Sequence, residues 1–279
     1  MISPARPRRH KTKQRPENFF LDYSHFLAKG LVFAGLGNVP KGIKYCDSSI
    51  QQNHGTLTNF AWPNTSTSGW QYVPQLGRMG LACDAVNDKV VLPAISGTGN
   101  LSISLWIQLT TASTEQVFIN LGGVTHDFAQ GYLYNSHFYF EASARQDGTW
   151  IDSPSRVIAS GSLHHFVGEK IEGYPTGVWV DGVKSGNPSG AYESEFLTTY
   201  GFGRVVESGL GFAGGLFSDV LIWNRPLSPA EINILANPSD PMLGGLLLPL
   251  WPRVFAAAVA GGGITVPVLR HHYEQQGVC

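Results

Sequence analysis

The sequence predicts an all-β protein: a two-sheet antiparallel sandwich closed by one short helix after its last strand. Three features of the 279 residues carry this expectation. Charged residues make up only 14% of the chain, while Gly (33) and Pro (17) abound. A charged fraction well under the usual quarter, with plentiful turn formers, suits short strands joined by many turns. Strand-like runs recur, several alternating strictly between apolar and polar residues. Gly, Asn, Asp and Pro clusters fill nearly every gap between them, and no helical pattern is interleaved.

In order along the chain, residues 1–26 form a polar, Pro-containing lead ending in YSHFLAKGLVF. The clearest strand runs follow: GLVFAGLG (30–37), DKVVLPA (88–94), LSISLWIQLT (101–110), EQVFINLGG (115–123), SHFYFEASA (136–144), LHHFVGEKI (163–171), TGVWVDGV (176–183), TTYGFGR (198–204) and SDVLIWN (218–224). In LSISLWIQLT the residues Leu101, Ile103, Leu105, Ile107 and Leu109 share one face, leaving Ser102, Ser104, Trp106, Gln108 and Thr110 on the other. Asp181-Gly182, between apolar β-formers, is a tight-hairpin dipeptide because glycine tolerates positive φ. Asp147-Gly148 reads as a turn for the same reason.

The last run is apolar on both sides. Val220 and Ile222 face one way, Leu221 and Trp223 the other, which places it inside a two-layer core. Pro226 cannot donate to a strand ladder and ends it. A helix start follows: Ser228 as N-cap, Pro229 at the first helical position and Glu231 completing the S-x-x-E capping box. Leu227 and Ile232 form a hydrophobic staple, and Asn237-Pro238 stops the helix after about two turns. Its expected job is to plug one end of the sandwich. Beyond residue 236 the chain is apolar and rich in Gly and Pro, without alternation, and is expected to pack on the sandwich or on a neighbouring chain.

Net charge is −1, yet the first fifteen residues hold six basic residues and no acid. Subtracting six from 19 leaves 13 basic against 20 acidic residues, so the remainder carries −7. Such an arm suits nucleic acid or an acidic protein surface, and equally a solvated terminus. No apolar stretch follows it, so no secretory signal peptide is predicted. The greasy stretch LGGLLLPLWPRVFAAAVA is broken by Pro249, Pro252 and Arg253 and is too short to span a bilayer. Cys46, Cys83 and Cys279 show no C-x-x-C spacing, which predicts neither a disulfide framework nor a zinc site.

The closing stretch FAGGLFSDVLIWNRPLSPAEI resembles the end of laminin-G-like domains of the concanavalin A-like jelly-roll superfamily, with Ser218 in place of the first acid of its pattern. Asp47-Ser48-Ser49 with Asn53-His54-Gly55-Thr56-Leu57, the strand LSISLWIQL and the hairpin LHHFVGEKIEGYPTGVWVDGV resemble the same family in the same order, with Leu163 where Trp is usual. The resemblance implies a jelly-roll domain over residues 27–236, flanked by a basic N-terminal arm (1–26) and a C-terminal tail (237–279). The lead YSHFLAKGLVFAGLGN further resembles the opening of such domains in tailed-phage virion proteins. That likeness implies a non-enzymatic virion structural protein, made in the host cytoplasm, serving as a head decoration, minor capsid or tail-fibre component. Its arm and tail would join other virion proteins or further copies of the chain. A free carbohydrate-binding module is the alternative, and a glycoside hydrolase a third.

Candidate chemistry is sparse. The E-x-D-x-x-E strand of related glucanases is missing, as are the P-loop, G-x-S-x-G and H-E-x-x-H motifs, so no catalytic residue is assigned. His164 and His165 are adjacent in a strand and point to opposite faces, so they cannot share an ion. Laminin-G-like domains often bind calcium at a sandwich rim, and the resemblance puts Asp47 and Asp219 at acidic positions of the family pattern; a turn aspartate such as Asp47 equally serves to cap local N–H groups. For glycan binding, Trp62, Trp70, Tyr72 and Trp150 lie in turn-rich segments, where they would serve as sugar platforms or as covers for the sandwich ends.

Overall fold

A computed structural model describes residues 19–36, 42–93, 95, 100–111, 116–122, 128–143, 151–171, 177–185, 200–202, 211–240 and 243–249. Along them run β1 (Phe19–Leu21), β2 (Leu31–Gly35), β3 (Lys44–Tyr45), β4 (Gly55–Thr58), β5 (Gly69–Val73), β6 (Arg78–Asp84), β7 (Lys89–Leu92), β8 (Leu101–Leu109), β9 (Gln116–Gly122) and β10 (Phe128–Tyr134). They continue with β11 (His137–Ser143), β12 (Ile151–Val157), β13 (His164–Lys170), β14 (Gly177–Val180), β15 (Val183–Ser185), β16 (Tyr200–Phe202), β17 (Gly211–Phe212), β18 (Gly214–Trp223), helix α1 (Pro229–Leu235) and β19 (Leu247–Pro249). Among the described residues two large sheets form. One has nine strands in the order β12-β11-β10-β9-β16-β7-β4-β3, with β17 beside β9; the other has eight in the order β15-β14-β13-β8-β18-β6-β5, with β2 beside β18. All nine sequence-predicted runs are strands. No helix among the described residues is long and apolar enough to cross a membrane.

The main core lies between the two sheets, because one side of each strand is apolar. Leu101, Ile103, Leu105, Ile107 and Leu109 of β8 all point into it, opposite Ile119 and Leu121 of β9 and Phe138 and Phe140 of β11. Asp181 and Gly182 take φ of 53° and 78°, the turn that closes β14 onto β15. Pro154 sits in β12, the edge strand, where a missing N–H breaks no ladder.

The other face of β8 is not the solvated surface that its serines suggest. Ser102, Ser104 and Trp106 are buried: Trp106 packs against Val73 and Leu76, and beside them a further layer covers the eight-stranded sheet. That layer is a second core in which Leu221 and Trp223 of β18 and Val167 of β13 meet Leu27, Leu227, Ile232, Leu235, Leu243 and Leu247. Helix α1 therefore lies on a sheet face rather than plugging an end of the sandwich. The two-sided apolarity of β18 draws it there. The Trp223 indole donates to the Leu27 carbonyl (2.7 Å), and the Arg225 guanidinium donates to the carbonyls of Lys29 (2.6 Å) and Phe26 (3.2 Å). Buried Glu169 accepts the Leu227 N–H (2.9 Å), the Trp179 indole N–H (3.0 Å) and the Ser102 hydroxyl (3.3 Å), pinning the start of the helical segment to the sheet.

The lead and the first part of the tail complete this layer. Phe19 pairs with Pro249, Phe20 with Leu248 and Leu21 with Leu247, in a two-stranded antiparallel sheet. The folded unit thus extends past both ends of the span 27–236. The expectation that the apolar tail packs on the sandwich holds for Leu243, Leu246 and Leu247.

The helix cap forms as read. Ser228 Oγ accepts the Glu231 N–H (3.3 Å), and Glu231 accepts the Ser228 N–H (2.7 Å) while pairing with Arg225 (2.5 Å). Burial alone would raise the Glu231 pKa, but hydrogen bonds from Arg225 and Ser228 hold it below the usual glutamate range. A carboxyl depressed in the folded state lends stability above its unfolded pKa and loses it as pH falls through the folded value. Thermal melts should therefore show Ser228→Ala less stable by about 1 kcal/mol. Glu231→Gln should lose most against wild type above pH 4.5, the ordinary glutamate value, with the gap closing at lower pH.

Candidate functional site

The two proposed calcium ligands are both occupied by the fold. Asp47 Oδ1 accepts the N–H groups of Ala34 (2.8 Å) and Ser49 (2.7 Å), and Oδ2 accepts the Asn53 N–H (2.7 Å) and the Ser49 hydroxyl (2.7 Å). It organises the 47–54 turn and ties it to β2. Asp219 sits at φ 49° in an irregular stretch of β18, ion-paired with the Arg78 guanidinium; each side chain is 2% exposed. A guanidinium thus supplies the positive charge that a metal would bring. Ser218, standing where the pattern has an acid, donates instead to the Met79 carbonyl (3.1 Å). Among the described residues no group of three or more His, Cys, Asp or Glu side chains could hold a metal ion. Removing one partner of a buried pair strands the other charge, so Arg78→Met should cost about 3–5 kcal/mol, and Arg78→Met/Asp219→Leu less than the sum of the single changes. Millimolar calcium should leave the wild-type Tm unchanged, because a ligand that binds the folded state would raise it.

The aromatic candidates divide by burial. Trp70 is 5% exposed and stacks on Tyr45 with ring centroids 5.5 Å apart, so it is a core residue, not a sugar platform. Trp150 lies outside the described residues. Trp62 (46% exposed) and Tyr72 (47% exposed) do face solvent. Both belong to one segment, the 59–68 loop and edge strand β5. The Ala61 N–H donates to Ser68 Oγ (2.9 Å), the Thr65 N–H to the Ser68 carbonyl (2.9 Å), and the Asn64 amide to the Trp70 carbonyl (3.3 Å). Gln71 donates to the Thr65 carbonyl, and Gly69, at φ 102°, allows the close approach of Asn64. Trp62 is thereby held out to solvent on a pinned loop that also carries Asn64, Thr65 and Thr67, an aromatic with polar residues on the same loop, as sugar rings need.

Residues 84–233, more than half of the chain, match the laminin-G family model described as concanavalin A-like lectin/glucanases superfamily. The chain belongs to this family. No curated protein matches it in sequence. Among solved structures it is similar to domain 4 of AbnA, an extracellular arabinanase from Geobacillus stearothermophilus solved in complex with arabinotriose (16% identity, TM-score 0.57, 74% of this chain and 98% of that one). It is also similar to the binding domain of botulinum neurotoxin DC in complex with SialylT (12% identity, TM-score 0.55, 76% of this chain and 52% of that one). A Trypanosoma rangeli sialidase mutant displaying trans-sialidase activity matches at 16% identity with a TM-score of 0.52, over 74% of this chain and 32% of that one. The chain thus spans about half of the toxin binding domain and a third of the sialidase.

In this laminin-G-like chain the buried polar groups serve packing. His164 faces Phe138 of the main core and pairs with Asp181 (2.9 Å), while His165 lies beside Trp106 and within 2.9 Å of Ser104 Oγ, so the two do point to opposite faces. The Ser104–His165 pair is sealed, each residue 1% exposed. Burial, ahead of opposing attraction from Asp181 and Asp219 and repulsion from Arg78, pushes His165 down to about 3. Burial likewise raises Glu169, and it raises the thiol of Cys83, a free cysteine of the main core. Cys46 is disulfide-bonded, where the cysteine spacing predicts no disulfide framework. Because folded His165 resists protonation, the unfolded chain takes up the proton first as pH drops below 6.5. Denaturant melts should show stability falling by up to about 1.4 kcal/mol per pH unit from this group between pH 6.5 and 3, a slope that His165→Gln should flatten.

Proposed function

We propose that the chain is a non-enzymatic phage virion component that displays a laminin-G-like domain for adhesion to glycans. The observation that carries the adhesive part is Trp62. Of the described tryptophans it alone is exposed, and its loop is fixed in place before any ligand arrives, which lowers the ordering cost of binding. Sugar complexes on the same fold, arabinotriose on the arabinanase domain and SialylT on the toxin binding domain, support this reading. Four of the five described buried carboxylates support the non-enzymatic part; the fifth, Asp88, accepts the Asp84 N–H (3.1 Å) with one oxygen. Asp47, Glu169, Asp219 and Glu231 are each engaged by N–H, hydroxyl or guanidinium donors, rather than facing one another across a cleft as an acid and nucleophile pair would.

Support for the virion part comes from the phage-like lead and from the β1–β19 pairing. Phe19 opposite Pro249 places the points where residues 1–18 and 250–279 join the domain side by side. The second reading, a free carbohydrate-binding module, is favoured by the nearly complete coverage of the arabinanase domain, itself one module of a larger enzyme.

On a glycan array, Trp62→Ala should lower the signal of the best-bound glycan at least about tenfold, the worth of one stacked ring, with unchanged Tm. A blank array for the wild-type chain would overturn the adhesive reading. Removing residues 1–18 and 250–279, cuts that spare β1 and β19, should abolish incorporation into particles while the core still melts cooperatively. Incorporation equal to that of the full chain would instead favour the free module.

A further inference from the structure

The segment that bears Trp62 carries a second exposed ring. Four aromatic residues lie between positions 60 and 72, and they divide evenly. Phe60 and Trp70 are buried in the main core and hold the segment down, while Trp62 and Tyr72 stay in solvent. Tyr72 stands on β5, the last strand of the eight-stranded sheet.

The bonds between loop and strand fix how the two rings are arranged. The Asn64 amide donates to the Trp70 carbonyl (3.3 Å) and the Gln71 amide to the Thr65 carbonyl, so residues 64–65 run alongside residues 70–71 in the same direction. Trp62 precedes that paired stretch and Tyr72 follows it. One ring therefore stands at each end, a spacing on the order of 10 Å at the ~3.3 Å rise of extended chain. Along the loop between them Asn64, Thr65, Ser66 and Thr67 are all exposed.

This strip is also uncharged. Residues 59–77 contain no Asp, Glu, Lys, Arg or His. Asn59 ties the segment to the 84–88 turn by donating to the Asn87 carbonyl (3.1 Å), and that turn adds two aspartates and no cation. Of the cations nearest in the chain, Arg78 is buried against Asp219, and Lys89 belongs to the nine-stranded sheet, opposite Thr58. A carboxylate-bearing sugar would meet no counter-charge along the strip. Sugar hydroxyls would meet amides and hydroxyls, which both donate and accept.

We propose that residues 62–72 form an extended subsite for a neutral, linear oligosaccharide, with one sugar ring on Trp62, a later one on Tyr72, and the hydroxyls between them against the polar side chains of 64–67. Each exposed ring offers an apolar face to a sugar's C–H face, and the polar groups set its orientation. A single sugar cannot reach both rings, so chain length becomes the determinant of specificity. The subsite rests on the reading of the chain as a glycan binder through Trp62, and adds to it a second platform, a charge class and a minimum length.

The test prints gluco-, xylo- and arabino-oligosaccharides of graded length as an array, with 3′-sialyllactose as the anionic control, and probes it with the full chain. The best-bound series is then titrated calorimetrically against wild type, Trp62→Ala, Tyr72→Thr and Tyr72→Phe. Affinity should climb with length and level off once both rings are spanned. Tyr72→Thr, which keeps a strand-favouring residue at the edge, should lower the affinity of the longest member about tenfold with Tm and the affinity of the single sugar unchanged. Tyr72→Phe should bind as wild type does, and Trp62→Ala should weaken every length. Affinity independent of length, indifference to Tyr72→Thr, or binding confined to sialyllactose overturns the subsite while leaving glycan adhesion standing. A wild-type chain that binds nothing on the array overturns both.

Discussion

Strand β18 is buried on both faces, and the rest of the fold is arranged to keep it so. Its alternate residues Val220 and Ile222 enter the core between the sheets, while Leu221 and Trp223 enter the core on the far side. Along its length it also bonds to β8 on one side and to β6 and then β2 on the other. Each fully buried side chain of this size contributes roughly 1.5–3 kcal/mol, but only where something covers it. A two-layer sandwich would cover half of the strand. The lead, the capped helix and residues 243–249 supply the missing layer, which is why the polar ties from Arg225, Glu169 and Trp223 converge on this region.

What could be read from the sequence follows from this division. Strict period-two alternation identifies β8, and a capping box needs only four residues, so those elements were legible locally. Strands β6 and β10 were missed because glycines interrupt them for reasons of packing: a Cβ at Gly80 would meet the Phe217 carbonyl at 2.8 Å, and one at Gly131 the Phe118 ring at 2.5 Å. The third layer was illegible because it depends on pairing Phe19 with Pro249, a contact that no local pattern announces. The serines of β8 look solvent-facing for the same reason. At the site, Trp62 and Trp70 were indistinguishable as letters; the stack of Trp70 on Tyr45 separates them.

The buried charges show how composition and fold are reconciled. A chain with few charged residues still buries Asp47, Glu169 and Asp219, each where segments distant in sequence must meet. Asp47 joins β2 to the 47–54 turn, Glu169 joins β13 to the residues before α1, and Asp219 joins β18 to β6 through Arg78. Desolvation offsets much of what such ties gain, so their main effect falls on geometry: a wrong register would leave a charge buried without its partner. Acids that would invite a metal or catalytic reading in the sequence are consumed in this way.

Function then divides by layer. The outer face of the eight-stranded sheet is filled by the second core, and a sugar could reach it only by displacing α1 and the β1–β19 pair. In the proposed reading, ligand contact is left to the rim around Trp62, whose ring is exposed. The covered face is the one from which residues 1–18 and 250–279 depart. In the proposed reading, attachment would leave from the covered face of the eight-stranded sheet, while recognition would fall to the exposed rim around Trp62.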